Sequence, residues 1–511
     1  MIGELLRRSA AAWPDRVAIV DEGTELTFAT LAERSARLAN ALLAIGISPG
    51  DRLADLQANT HTCVETEFAC ALAEIVRIPI GAQLDVAEIN DICRDAAPSA
   101  LVTGREFGEL ASELSRELGT IRHLVSIGGG PGRDYEQLIA SASGGIPIRW
   151  PHPRDMLSIS YTAGTTGAPK GCLRSNRNRL ASMNAILASL TGPLGVEDAF
   201  LHVGSLNQTS GLFLLPHLVC GSRQVLTRQF DADRLPALIA EHRITGTALS
   251  PAMLDQFVAH VETESVGGSL NSLRRVAYWG DPTLAQRIGH ASRVLGDRLV
   301  QFYGLGEAIA PLTVLSAADH SDRDLVGSAG RPVSGVAMRI VADNGVEVGP
   351  GVQGELMVGG DHLMAGYWSK PEATTRSFVK GWLRTGDIAW SDEGGHVYLV
   401  DRRAEMIITG GANVLPREIE LVLESHRGVR ECAVVGLPDK RWGEVVTAFV
   451  VPEKGVALEL ERLNAHCVDR LPAFKRPRWI ELVDALPKGV SGNVRRGDLR
   501  DGLGVGKSRK D

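Results

Sequence analysis

Residues 161 to 171 read YTAGTTGAPKG, directly after a β-rich run, LSISY, at 157 to 161. A strand that feeds such a loop exposes several backbone N–H groups. It adds the hydroxyls of Thr162, Thr165 and Thr166 and one cation, Lys170, which together form a cradle for phosphate oxygens. The stretch is not a Walker loop, which needs GxxxxGK[ST] with the lysine opening a helix. Here Pro169 takes the place of the second glycine, and Gly171 and Cys172 follow the lysine. A helical pattern, RNRLASMNAILASL, comes next.

Outward from this loop the chain keeps alternating. TGTALS (245 to 250) meets Pro251, well placed for a first helical turn, and RRVAYWG (274 to 280) ends at a Gly-Asp-Pro turn. Short β-rich runs separated by helical stretches predict a parallel α/β architecture. After about residue 330 the texture changes to strands and turns, as in AMRIVADNGVEVGPGVQGELMVGG. A boundary is expected near Asp401, where the strand GHVYLV gives way to a charged cluster, a Gly-Gly turn and a fresh αβ series. The expectation is a large N-terminal α/β domain with β subdomains over 1–400 and a small, mobile α+β domain over 401–511. A chain of 511 residues is too long for one compact core, which agrees with that division.

Composition narrows the function classes. With 44% hydrophobic and 23% charged residues the chain has the make-up of a soluble globular protein. A net charge of -7 offers no global basic field for nucleic acid or an anionic membrane, and neither partner is expected. The seven cysteines are scattered without a CxxC pair, so reduced thiols fit better than disulfides or zinc. The N-terminus, MIGELLRRSAAAWPDRVAIV, lacks the apolar core of a signal peptide, and a cytoplasmic location is expected.

The motifs, taken in order, resemble those of the acyl-adenylate-forming superfamily of acyl-CoA synthetases, adenylation domains and luciferases. YTAGTTGAPKG matches the signature [YF]TSGTTGxPKG at all but Ala163. YGLGEA (303 to 308) is similar to YGxTE, LRTGDIA (383 to 389) to the TGD motif, DRRAEMIITGGANVLPREIE (401 to 420) to the hinge segment, and LPKGVSGNVRR (486 to 496) to the terminal catalytic loop. The resemblance implies two steps, in which a carboxylate and Mg-ATP give an acyl-adenylate and a thiol then takes the acyl group after the C-terminal domain swings.

Carried over by motif, Thr162, Thr165, Thr166 and Lys170 hold phosphate, and Tyr303 stacks on adenine against Gly280 and Asp281, with Gly304 and Gly306 in the same turn. Glu307 ligates Mg2+, which needs few protein ligands beside phosphate oxygens. Asp387 accepts the ribose hydroxyls, Arg402 holds the nucleotide from the hinge side, and Asp401 is the pivot. Gly410 and Gly411 line the pantetheine path, and Gly411 belongs to the thiolysis face. Trp442, Phe474, Arg476 and Arg478 offer an aromatic-and-cation surface for CoA. Asn207, Gln208, Gly211 and Trp279 line the acyl site.

Three departures fall on chemistry. The YGxTE threonine is Gly306, the His or aromatic of the acyl motif is Gln208, and the lysine of the family's SGKVxR loop is Asn493. An amide cannot offset developing negative charge as an ammonium does, and losing one preorganised stabilising group costs about a hundred- to thousand-fold in rate. The expectation is an acyl-CoA synthetase weak in adenylation, taking preformed acyl-AMP plus CoA, with a separate adenylating enzyme as its supplier. In this it resembles the non-adenylating ligases of platensimycin-type natural-product pathways. The alternative is a complete ATP-dependent acid–CoA ligase. An amino-acid adenylation domain fits less well, because the NQTS stretch at 207 to 210 carries no counter-ion for an ammonium. A luciferase-type oxidation and a nucleotide-binding pseudoenzyme complete the alternatives.

Overall fold

The computed structural model describes residues 2–145, 152, 154–162, 169–190, 192–264, 266–279, 285–488 and 494–504. Two large sheets carry the first 330 residues. In the seven-stranded sheet the central order runs Ala100–Gly104, Arg52–Gln57, Val76–Gly81, Met156–Thr162, all parallel. Its edge strand Lys170–Ser175 returns antiparallel to Met156–Thr162. That strand differs from the expected loop-to-helix passage: Lys170 opens a strand, and the helix Asn176–Ser189 begins only after it, capped by Ser175.

In the nine-stranded sheet Ala199–His202, Gly246–Leu249, Arg275–Tyr278 and Leu299–Tyr303 run parallel. Ser250 caps the helix Pro251–Thr263, with proline at its first position, where the missing N–H costs nothing. The strands are near-continuous apolar runs because helices cover both faces. Their side chains fill buried cores around Leu201, Val276 and Phe257 and around Ile78, Leu101 and Ile159.

Past residue 330 the change of texture is a separate antiparallel sheet built from Val336–Val341, Gly354–Gly360, Phe378–Val379, Trp382–Ser391 and Val397–Arg402. The remaining sheet, with Ile407–Thr409, Ala412–Val414, Val429–Asp439, Gly443–Pro452 and Trp479–Leu482, packs the helices Pro416–Glu424 and Leu460–Val468 over a core of its own. No helix among the described residues is long and apolar enough to cross a membrane. All seven cysteines are free.

Candidate active site

In open α/β sheets, ligands sit beyond the carboxyl ends of the strands. Two such ends meet here: Met156–Thr162 ends at Thr162, and Leu299–Tyr303 ends at Tyr303. Thr165 and Thr166, which follow Thr162 in sequence, Gly280 and Asp281, and Asn493 lie outside the described residues.

Tyr303 is buried, and its phenol donates a 2.5 Å hydrogen bond to Oδ2 of Asp387. Arg402 Nε stands 2.6 Å from the other oxygen of that carboxylate. Burial, reinforced by the Asp387 carboxylate, pushes the Tyr303 hydroxyl well above the ordinary tyrosine range, so it remains a donor. Asp387 and Arg402 are brought opposite each other by the pairing of Trp382–Ser391 with Val397–Arg402.

Four residues along from Tyr303, Glu307 accepts a 2.7 Å hydrogen bond from Tyr367. The ammonium of Lys170 lies 5.6 Å from the Tyr367 ring centroid, within cation–π range. Tyr367 was not singled out from sequence. Its signal was the glycine-tyrosine pair in MAGYWSKP, whose strand-like bridge to Cys172 is a contact across almost 200 residues. Gly304 and Gly306 sit in tight places: a Cβ at Gly304 would lie 2.5 Å from Ala310 Cβ, and one at Gly306 would lie 1.8 Å from Thr162 Cγ2. A side chain at position 306 would therefore meet the Thr162 methyl in this structure.

On the acyl side the residues separate. Trp279 packs half-buried beside Leu212 and Phe213, an apolar wall. Gln208 is exposed, near Gln83 around Gly81. Asn207 departs from the expected acyl contact. Its amide nitrogen donates to Asp55 O and Ile80 O, and its oxygen accepts from Arg77 and from Cys63. With both ends used in a buried network, it positions the turn. Gly211 likewise serves the backbone: a Cβ there would meet Leu206 O at 2.0 Å.

Asp401 accepts the N–H of Arg402 at 2.7 Å and of Arg417 at 2.8 Å, tying the end of one sheet to the first turn of the helix Pro416–Glu424. Burial raises its pKa to about 6, against the N–H donors and Arg496, which lower it. Gly410 and Gly411 form the two-residue turn of a hairpin, with φ of 58° and 82°. Both positive values suit glycine and the twist of the strands. A Cβ at Gly410 would lie 2.8 Å from the Trp442 ring, and Arg478 stacks on that ring at 4.3 Å. Of the other two residues expected near CoA, Phe474 is exposed beside Lys475. Arg476 departs from expectation, because its guanidinium donates to Leu471 O and Val468 O at 2.9 and 3.0 Å. It closes the end of a helix with two of its five N–H donors, so its guanidinium is anchored there and does not stand free on the Trp442 surface.

The terminal loop is pinned at its base by a bridge between Lys488 and Val494. Lys488 pairs with Glu431 at 2.5 Å. Arg495 reaches across to the start of the helix Val86–Ala96, 3.5 Å from Glu88 and 4.0 Å from Asp85. Among the described residues no group of three or more His, Cys, Asp or Glu could hold a metal ion. A lone carboxylate such as Glu307 fits a magnesium ion that takes its other ligands from phosphate and water.

The comparisons with known proteins agree with this geometry. A model of the AMP-binding enzyme family matches residues 6–368, and that of the AMP-binding enzyme C-terminal domain matches 418–493. A feruloyl-CoA synthase of an Amycolatopsis species is 34% identical over 501 residues, 97% of this chain and 98% of its own. An indoleacetate–CoA ligase of Aromatoleum aromaticum is 34% identical over 509 residues, 98% and 97% of the two chains. The solved structure of the amide bond synthetase McbA from Marinactinospora thermotolerans superposes with a TM-score of 0.88 at 32% identity, covering 98% of this chain and 100% of that one. The chain belongs to the AMP-binding enzyme family, the adenylate-forming superfamily in which acyl-CoA ligases fall.

Proposed function

We propose that the chain is a carboxylic acid–CoA ligase that works through an acyl-adenylate, with adenylation as its weakened half and thioester formation preserved. The observation that carries the nucleotide assignment is the Tyr303–Asp387–Arg402 arrangement, in which a buried carboxylate is presented between a phenol and a guanidinium. The CoA ligase names of its full-length relatives support the acceptor.

In the first step a carboxylate oxygen of the acid attacks the α-phosphorus of ATP, the bond to the β-phosphate breaks, and pyrophosphate leaves. In the second, the CoA sulfur, having lost its proton, attacks the acyl carbon and AMP departs with the C–O electron pair. Thr162, Lys170 and the threonines of the loop hold phosphate. Glu307, oriented by Tyr367, would hold a magnesium ion, which neutralises phosphate charge when bound. Asp387 accepts from the ribose and Arg402 closes over it. The division falls at Asp401, with 1–400 binding acid and nucleotide and 401–511 turning between the steps. Gly410 and Gly411 give the pantetheine arm close backbone approach, and Trp442 with Arg478 forms the CoA-facing surface. Trp279 bounds the acyl group.

Asn493 at the tip of the terminal loop is the reason for the imbalance, because that loop closes on the first step alone. The test is to supply a broad panel of acids with ATP, and separately their preformed adenylates with CoA. Slow pyrophosphate release with fast thioester formation is the expected result, and brisk ATP-dependent release overturns the imbalance. In that event the protein is a complete ATP-dependent ligase, a reading favoured by one observation, the guanidinium of Arg174, which donates to Gly306 O at 3.3 Å. An acyl-CoA product, against none with amine acceptors, separates the thiol assignment from an amide synthetase.

A further inference from the structure

Arg174 lies on the strand Lys170–Ser175, on the same face as Lys170 and Cys172, because side chains alternate along a strand. Its Nη2 donates a long, 3.3 Å hydrogen bond to Gly306 O, the residue before Glu307. Its Nε is buried without a hydrogen-bond partner among the described residues. Other enclosed arginines here are matched by carboxylates: Arg77 by Asp55 at 2.6 Å, Arg275 by Asp198 at 3.3 Å, Arg179 by Glu67 at 3.3 Å. Among the described residues Arg174 makes no such pair, and the nearby Glu307 carboxylate is held by Tyr367.

Arg174 as a whole is half-buried, but its Nε is enclosed, and enclosure is expensive for a cation without a partner. Burial first, and Arg179 after it, pull the Arg174 pKa below the ordinary arginine value, while Cys172 and Glu307 act the other way. Arg179 in turn donates to Gly211 O at 2.6 Å. Arg174 thus stands between the turn that carries Glu307 and the turn that borders the acyl side, where an acid must meet a phosphate. A guanidinium suits that meeting, since its fork matches two oxygens of a phosphate or carboxylate.

We propose that Arg174 binds the phosphate of the nucleotide and acyl-adenylate from the buried side, and so takes over part of the charge neutralisation that a lysine at position 493 would give. This rests on the adenylate-forming reading but concerns a residue outside its motifs. It requires no proton transfer from Arg174, which stays cationic throughout.

The experiment compares AMP with adenosine as ligands of the full chain, by calorimetry, for the wild type, Arg174→Met and Arg174→Lys. The expected result is a rise of about tenfold or more in the Kd for AMP in Arg174→Met, with adenosine changed less than twofold and Arg174→Lys in between. An equal loss for both ligands, or no loss for either, overturns the proposal. If Arg174→Met does not fold, the AMP-to-adenosine ratio of Arg174→Lys decides by the same criterion. A wild type that binds AMP but makes no acyl-CoA from any acid or adenylate refutes the ligase assignment, and the ligand ratio still decides the role of Arg174.

Discussion

Tyr303 donates to Asp387 across 84 positions of sequence, and Arg402 stands 2.6 Å from the far oxygen of the same carboxylate. The carboxylate therefore has two partners of its own before any nucleotide arrives. Asp387→Asn keeps the shape but removes the charge that both partners address. Hydrogen bonds to charged groups are worth about 1.5 to 3 kcal/mol, so AMP binding should weaken by about 10- to 100-fold. Tyr303→Phe, which leaves the carboxylate charged, should cost less. Unchanged AMP affinity in Asp387→Asn would count against a ribose contact there.

Gly306 and Thr162 share one space. Installing the family's threonine as Gly306→Thr puts a Cβ 1.8 Å from the Thr162 methyl, so the single variant should lose about 1 to 3 kcal/mol of stability through overpacking. Thr162→Ser removes that methyl and keeps the hydroxyl. The double variant should therefore recover most of the loss, a positive coupling in a thermal-melt cycle. Additive losses would show that the two sites do not compete.

The motifs were legible in sequence because each is a short run whose glycines, hydroxyls and charges do their work locally. YTAGTTGAPKG, YGLGEA and LRTGDIA could each be read as family motifs without knowledge of the fold. What sequence left hidden are partners joined only by the fold. Tyr367 reaches Glu307 from 60 residues away, and Arg174 reaches Gly306 from 132. Asn207 and Arg476 read as ligand contacts because each stands beside a suggestive motif. In the fold both Asn207 amide hydrogens and two of the five Arg476 donors go to backbone carbonyls, an allocation that only tertiary packing decides. The strand at Lys170 was missed for a similar reason, since its pairing partner, not its composition, makes it a strand.

Arg495 with Glu88 and Asp85 forms a contact between the terminal loop and the first half of the chain. It is half-exposed, so its strength should be no more than about 1 kcal/mol. Arg495→Glu should slow adenylate formation a few-fold at low salt and leave thioester formation from supplied adenylate unaltered. The difference should shrink at high salt, where the charges are screened. The exchange Arg495→Glu with Glu88→Arg should restore the rate. If both half-reactions fall together, the contact serves general stability.

At Asp401 the pKa of about 6 in the folded chain exceeds the ordinary 3.8, through burial. Between these values the folded chain holds more protons than the unfolded chain, so stability falls as pH rises. The contribution is fully present below about pH 4 and lost above about pH 6. The melting temperature of the wild type minus that of Asp401→Asn should therefore fall from pH 4 to pH 7 and then stay level. A difference that is flat across this range would mean that the carboxyl titrates normally.

Asn493 is the position at which the two half-reactions should come apart. Lys488 does not supply the missing ammonium in this structure: it pairs with Glu431 at the base of the loop, where residue 488 faces residue 494. Asn493→Lys should raise ATP-dependent pyrophosphate release by up to about a hundred- to thousand-fold. Thioester formation from a supplied adenylate should move less than threefold, as the proposed withdrawal of the loop before that step requires. The gain should be larger still on an Arg174→Met background, where no second cation remains to share the charge. An unmoved pyrophosphate rate in both backgrounds would mean that charge at the loop tip does not limit this enzyme.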